Sequence, residues 1–230
     1  MSKKKVGIID YGAGNSGSIY NAINYLEYEP KFIQNPEEAK DYSHLIFPGV
    51  GHFGKLANNL IKNDWKTKLK DLVDRGHMLF GICVGMQLLF ENSEEAKGVK
   101  GLGLLKGSLS NFQSTEKKFN LPVPHIGFNN VLHKNTPVWK DIKNNSPFYF
   151  IHSYKVNDTT DEVKTCKTVY QDEFISFVEK DNIFGSQFHP EKSHLTGLKL
   201  IKNFLELKNL IKFFLKYTHY YKDLNQNFYY

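Results

Sequence analysis

Met78-Leu79-Phe80-Gly81-Ile82-Cys83-Val84-Gly85-Met86-Gln87 is the stretch whose reading decides the fold. Met78 to Phe80 is a short apolar run of the kind that forms a buried strand, and a helix is predicted from about Val84 to Glu91. Cys83 therefore falls on a strand-to-helix bend, with Gly81 two residues before it and Gly85 two after. This is the pattern of a nucleophile elbow, with cysteine in the place of serine. A bend this sharp crowds the backbone, and glycine removes the Cβ atoms that would collide there. The turn is expected to lift the sulfur clear of the sheet, and the start of a helix favours its thiolate. A free cysteine is more often inert core packing; the glycine pair and the strand–helix setting argue against that for Cys83. Cys166 sits in the strand-like Thr165-Cys166-Lys167-Thr168-Val169 with no base nearby, and is read as structural.

Outward from the bend, Val6 to Ile9, Lys31 to Gln34 and His44 to Phe47 read as strands, the last stopped by Pro48-Gly49. Asn15 to Tyr28 and Leu56 to Asp74 carry helical periodicity. Strands alternating with helices predict a parallel sheet covered on both faces. From Gly101 to Gln187 the chain breaks into short β-like runs, among them Pro147 to Val156 and Phe174 to Gln187. These are expected as antiparallel additions to the same domain. Helical spacing returns at Ser193 and runs to about Lys216. The expectation is an α/β fold of three layers, with a mostly parallel central sheet and antiparallel additions.

The 230 residues suit one domain, which can hold a core without disulfides. Two cysteines are too few for a secreted disulfide framework. The apolar run after Lys3-Lys4-Lys5 is too short for a secretory leader, and no stretch is long and apolar enough for a membrane span. A reduced, cytoplasmic setting is expected, with no membrane partner. The formal charge is +6, but the lysines are scattered and no nucleic-acid motif accompanies them, so nucleic acid is not expected as a partner.

A cysteine nucleophile needs a base, and the base needs a group to hold it. Phe188-His189-Pro190-Glu191 follows the β-like run Ile183 to Gln187 and should lie at a strand end. His189 can take the thiol proton and return it to a leaving amine. Glu191, two residues on, can turn the same way in extended backbone and fix the imidazole tautomer. Any one of nine histidines beside an acid is weak evidence alone; the elbow upstream gives it weight. Pro48-Gly49-Val50-Gly51 closes the third strand, and its glycines would let the Val50 peptide turn an N–H toward a ligand. With the backbone N–H of Val84, it would form an oxyanion site.

Together these segments resemble the class I (triad) glutamine amidotransferases. Within that family, Asp10-Tyr11-Gly12-Ala13-Gly14-Asn15, Pro124-His125-Ile126-Gly127-Phe128-Asn129, Phe150-Ile151-His152-Ser153-Tyr154 and Gln187-Phe188-His189-Pro190-Glu191-Lys192-Ser193 are similar to the glutaminase subunits of imidazole glycerol phosphate synthase. The resemblance spans about residues 4 to 208. It implies a flavodoxin-like sandwich and a triad of Cys83, His189 and Glu191. It places Gly49, Gly51, Gln87 and Glu95 near bound L-glutamine, with Ser153 and Tyr154 at its amino-acid end. No cofactor or metal is implied. The implied partner is a cyclase of the HisF kind, forming a heterodimer in which the ammonia reacts. The domain is taken as residues 1–208, and 209–230 as a C-terminal extension beyond the family's usual end.

The chain departs from that pattern at Ser16, where leucine is usual, at Phe128 in place of tryptophan, and at Val84 in place of leucine. Ammonia delivery to a sugar-modifying synthase therefore stays open, as does a docking subunit that is nearly silent alone. Gly12-Ala13-Gly14-Asn15-Ser16-Gly17 also fits a dinucleotide fingerprint, which would make an oxidoreductase. The lysine-flanked apolar spacing from Leu195 to Leu215 fits either a core helix or a membrane-surface helix.

Overall fold

The computed structural model describes residues 4–14, 16–114 and 120–208. In chain order the first half gives β1 (Lys5–Ile9), α1 (Gly17–Tyr25), β2 (Glu29–Ile33), β3 (His44–Gly49), α2 (Phe53–Lys62), α3 (Trp65–Asp74), β4 (Met78–Cys83) and α4 (Val84–Leu88). The second half adds the short strands β5 (Asn92–Ser93) and β6 (Ser108–Asn111), then β7 (His125–Val131), β8 (Ser146–His152) and β9 (Tyr154–Val156). It closes with β10 (Lys164–Tyr170), β11 (Asp172–Lys180), β12 (Ile183–Ser186) and α5 (His194–Glu206).

Ten strands form the main sheet, in the order β2-β1-β3-β4-β12-β11-β9-β6-β5 with β10 beside β11. The five strands from β2 to β12 are mutually parallel. Every residue of β3 and β4 is buried, as expected of strands covered on both faces. Helices α1 and α5 touch on one face of the sheet, and α2 packs on α3 on the other. The order 2-1-3-4-12 is that of a doubly wound, flavodoxin-like sheet, whose crevice opens at the carboxyl ends of the strands.

Several elements differ from the sequence reading. Leu56 to Asp74 is two helices, broken where Asp64 adopts a left-handed φ of 57°. The periodicity runs through the break because Leu56 and Leu60 before it and Leu69 and Leu72 after it all face the core. Helix α4 stops at Leu88, not Glu91, because the carbonyls of Leu88 and Leu89 accept N–H groups of Leu102, Leu104 and Leu105. The run Phe174 to Gln187 is not one antiparallel addition: β11 is antiparallel, but β12 turns back and joins the parallel set beside β4. Strands β7 and β8 form a separate two-stranded antiparallel sheet. Helix α5 ends at Glu206; Asn15, the expected continuation to Lys216 and the extension 209–230 lie outside the described residues. Among the described residues no helix is long and apolar enough to cross a membrane.

Candidate active site

Cys83 occupies the bend between β4 and α4 with φ 55° and ψ −113°, a conformation that L-residues adopt only under strain. The neighbouring glycines make the bend possible. A Cβ on Gly81 would lie 2.8 Å from backbone atoms of Gly85 and Met86, and one on Gly85 would overlap the Phe47 carbonyl oxygen. Strain held by close backbone packing is the local reason for the glycine spacing.

The bend presents Cys83 to a cavity and not to bulk solvent. Cys83 is 4% exposed and forms part of the floor of a cavity of about 290 Å³. Val50, Gly51, Val84, Gln87 and Glu95 line this cavity on one side of Cys83, and Ser153, Tyr154 and His189 also face it. Ile151 and Pro124 complete the wall that covers the sulfur. Gly49 is not a lining residue: it lies under the elbow, where a Cβ would sit 2.7 Å from the Val84 carbonyl carbon. The cavity suits a ligand the size of an amino acid and falls near the lower end for small-molecule sites.

His189 follows β12, the strand beside β4, and its backbone N–H donates to the Tyr149 carbonyl at 2.8 Å. Its ring hydrogen-bonds to Cys83, and Nδ1 lies 2.8 Å from Glu191 Oε1, with both side chains buried. Burial alone would lower the imidazole pKa, but the hydrogen bonds and charges of Cys83 and Glu191 outweigh it and raise it to about 10. His189 therefore holds a proton beside the sulfur at neutral pH, the arrangement needed to release an amine as a neutral molecule. Cys166 is the opposite case: burial pushes its thiol up to about 12, which leaves it unreactive.

Two further groups at this site were not singled out as site residues from the sequence. Gln187 is fully buried, donates from Nε2 to Cys83 Sγ at 3.8 Å, and accepts the Gln87 amide at 3.0 Å. Tyr11 is buried, with its hydroxyl donating to the Pro48 carbonyl at 2.8 Å. Both lie in quoted segments, but only the fold shows that their side chains turn inward.

The oxyanion reading of Val50 needs correction for this conformation. The Val50 N–H donates to the Ala13 carbonyl at 3.2 Å and so is turned from the cavity. Val84 opens α4 next to Cys83 and lines the cavity, at the helix end where backbone N–H groups have no intrahelical acceptor. Ala13, from the segment that fits a dinucleotide fingerprint, thus holds Val50, and Tyr11 just before that segment holds Pro48. Glu95 accepts the Phe53 N–H at the start of α2, at 2.7 Å.

The site also holds two buried histidines, and a third lies near the C-terminal end of α5. Burial lowers His44 and His125 to about 4 and His152 to about 3. Unfolding returns each to its ordinary value near 6.5, so the unfolded chain binds protons that the folded one refuses. Stability is then full above pH 6.5 and falls as pH drops toward 4. All three groups act in the same direction, so their losses add as pH falls. Melting followed against pH is expected to show a steep loss between pH 6.5 and 4; a flat profile there contradicts the burial of these rings.

The family model Glutamine amidotransferase class-I matches residues 7–207. The chain is 47% identical to a protein of Methanocaldococcus jannaschii named imidazole glycerol phosphate synthase subunit HisH, over 88% of this chain and 99% of that one. It is 40% identical to the protein of the same name from Helicobacter hepaticus, covering 90% and 100%. Among solved structures, one described as a glutamine amidotransferase superposes with a TM-score of 0.69 at 20% identity, over 87% of this chain and 97% of that one. A match this extensive, on a sheet and an elbow of this form, places the chain in the class I glutamine amidotransferases.

Proposed function

We propose that the chain is the glutaminase subunit of an imidazole glycerol phosphate synthase, with Cys83, His189 and Glu191 as its reacting groups. The observation that carries the reading is the buried Cys83–His189–Glu191 line at the floor of a cavity sized for an amino acid. The Cys83 thiolate attacks the side-chain amide carbon of glutamine, and the carbonyl electrons move to oxygen. The Val84 N–H stabilises that oxyanion. His189 passes its proton to the departing nitrogen, which leaves as neutral ammonia, and a thioester remains. Water, deprotonated by His189, then cleaves the thioester to glutamate and frees the sulfur. Glu191 accepts from Nδ1 and keeps Nε2 turned to the reaction.

The relatives' names, subunits of an imidazole glycerol phosphate synthase, support a second subunit, and we take it to be of the cyclase kind. The surface supports docking close to the cavity. Ile126 and Phe128 alternate along β7 and are 57% and 50% exposed, and Ile151, the cross-strand partner of Ile126, is 42% exposed while also lining the cavity. An apolar face beside a cavity that must release ammonia fits a second subunit that shields the product from water.

Three measurements test the reading. With the cyclase present, glutamine is expected to support formation of imidazole glycerol phosphate; support by free ammonia but never by glutamine would sink the pathway assignment. His189→Ala is expected to lower glutamine turnover about 10³-fold or more, and Glu191→Gln about 10- to 100-fold, because Glu191 only orients the base. Equal losses would show that Glu191 does more than hold the ring. An electrophilic glutamine analogue is expected to label Cys83 and leave Cys166 unmodified; labelling of both at similar rates would count against the site.

A further inference from the structure

A directed line of hydrogen bonds runs from the edge of β7 to the cavity wall, and the mechanism above gives it no task. His125 and His152 are cross-strand partners in the β7–β8 sheet. His152 Nδ1 lies 2.8 Å from the Tyr154 carbonyl oxygen. A carbonyl only accepts, so Nδ1 carries the hydrogen and Nε2 is left as an acceptor. His125 Nδ1, 3.1 Å from that Nε2, must therefore donate. This leaves His125 Nε2 as an acceptor, and it faces the Asn129 amide nitrogen at 3.4 Å. The Asn129 side chain is oriented independently: Nδ2 donates to the Val169 carbonyl at 2.9 Å and Oδ1 accepts the Asn130 N–H at 2.8 Å. The polarity of the line is fixed from both ends.

Its inner end is shared. The Tyr154 carbonyl also accepts from Gln87 Nε2 at 3.3 Å, and Gln87 in turn meets Gln187, which donates to the sulfur. We propose that His125 is a positioning residue for glutamine recognition: through His152 it fixes the Tyr154 carbonyl, and with it Gln87 and the Ser153–Tyr154 backbone that receives the amino-acid end of the substrate. The inference rests on the glutaminase reading of the cavity.

The surroundings keep the line intact. The His125 ring stacks on Tyr170 at 3.9 Å and on Phe150 at 4.8 Å, and Phe112 and Phe174 lie against His152 at 5.1 and 5.2 Å. Burial among these rings holds both imidazoles neutral at ordinary pH, as a line of single donors and acceptors requires. If His125 could not donate, His152 Nε2 would be buried and unsatisfied. The ring would then be free to rotate toward another donor for Nε2, which breaks its bond to the Tyr154 carbonyl and loosens that carbonyl from Gln87.

The test uses the full chain and two reagents for Cys83. A diazoketone analogue of glutamine reads recognition of the amino-acid end, and iodoacetamide reads the sulfur alone. His125→Phe keeps the stacking and removes both nitrogens. It is expected to raise the analogue's half-saturation concentration about tenfold, with its limiting rate and the iodoacetamide rate within about threefold of wild type. His125→Asn keeps a donor near the Nδ1 position and is expected to restore binding to within about threefold. An unchanged half-saturation concentration in His125→Phe overturns the proposal, as does an equal loss with both reagents, which would mean general collapse of the site. Should His125→Phe fail to fold, nitrogen-15 spectra of the wild-type chain at pH 7 decide the matter: both rings neutral and protonated at Nδ1 support the line, and any other state overturns it. A wild-type chain that takes iodoacetamide but never the analogue overturns the glutaminase reading itself, and the inference with it.

Discussion

Cys83→Ala is expected to lower glutamine hydrolysis by about four orders of magnitude or more while leaving a folded chain that melts within a few degrees of wild type. In the proposed mechanism the sulfur forms the bond to substrate carbon, and no neighbour can replace it. Gln187, Gln87 and Tyr154 around it offer amides and a carbonyl. His189 would retain Glu191 but lose the partner whose negative charge helps to hold its proton. The fold should tolerate the change because Cβ is kept and only one buried atom is removed. Cys83→Gly sharpens the point. At φ 55° and ψ −113° a side chain is held against backbone preference, so glycine is expected to stabilise the chain by about 1 kcal/mol while abolishing turnover. Urea unfolding and a glutaminase assay on the same preparations check both halves. A Cys83→Gly chain less stable than Cys83→Ala would mean that the elbow is not strained.

Gly85→Ala is expected to be among the most damaging single-methyl changes in the described part of the chain. The new Cβ would overlap the Phe47 carbonyl oxygen and lie 3.0 and 3.2 Å from the carbonyl carbons of Phe47 and Pro48. These atoms are backbone of β3, a fully buried strand paired on both sides. No rotamer change relieves the overlap, so strand and helix must separate. A loss of about 3 kcal/mol or more, or failure to accumulate in soluble form, is expected, with activity lost as the elbow moves. Gly98→Ala is the control. A Cβ there meets nothing within 4 Å and suffers only from a φ of 82°, so the cost should stay near 1 kcal/mol. Similar midpoints for the two variants in urea would show that close packing under the elbow is not what selects glycine.

What could be read from residues alone was what depends on near neighbours. The elbow announces itself within five residues, because strain and its relief are local. Val6–Ile9 and His44–Phe47 are legible because a buried parallel strand needs an unbroken apolar run. The pairing of β12 with β4 was not legible: Ile183 lies opposite Leu79, about a hundred residues away, and an apolar run looks the same whichever way its neighbour points. The break at Asp64 had a faint signal, since Asn63-Asp64 tolerates left-handed backbone, but the apolar spacing overrode it. The direction of the Val50 N–H was beyond reach, because it depends on a carbonyl from a different loop. Gln187 and the His125–His152 pair needed strand register before their side chains could be placed. In sequence they are an unremarkable glutamine and two of nine histidines.

The adjacency of β4 and β12 has a mechanical corollary. Ile82 stands opposite Ser186, so Cys83 and His189 extend from neighbouring strands of one hydrogen-bonded ladder. Such a ladder keeps its members about 4.8 Å apart and is the last part of a domain to open. The fold itself therefore brings Cys83 and His189 together. If a partner alters turnover, the change is expected at the margins of the cavity: the bend at 48–51, tethered to Ala13, and the segment that carries Ser153 and Tyr154.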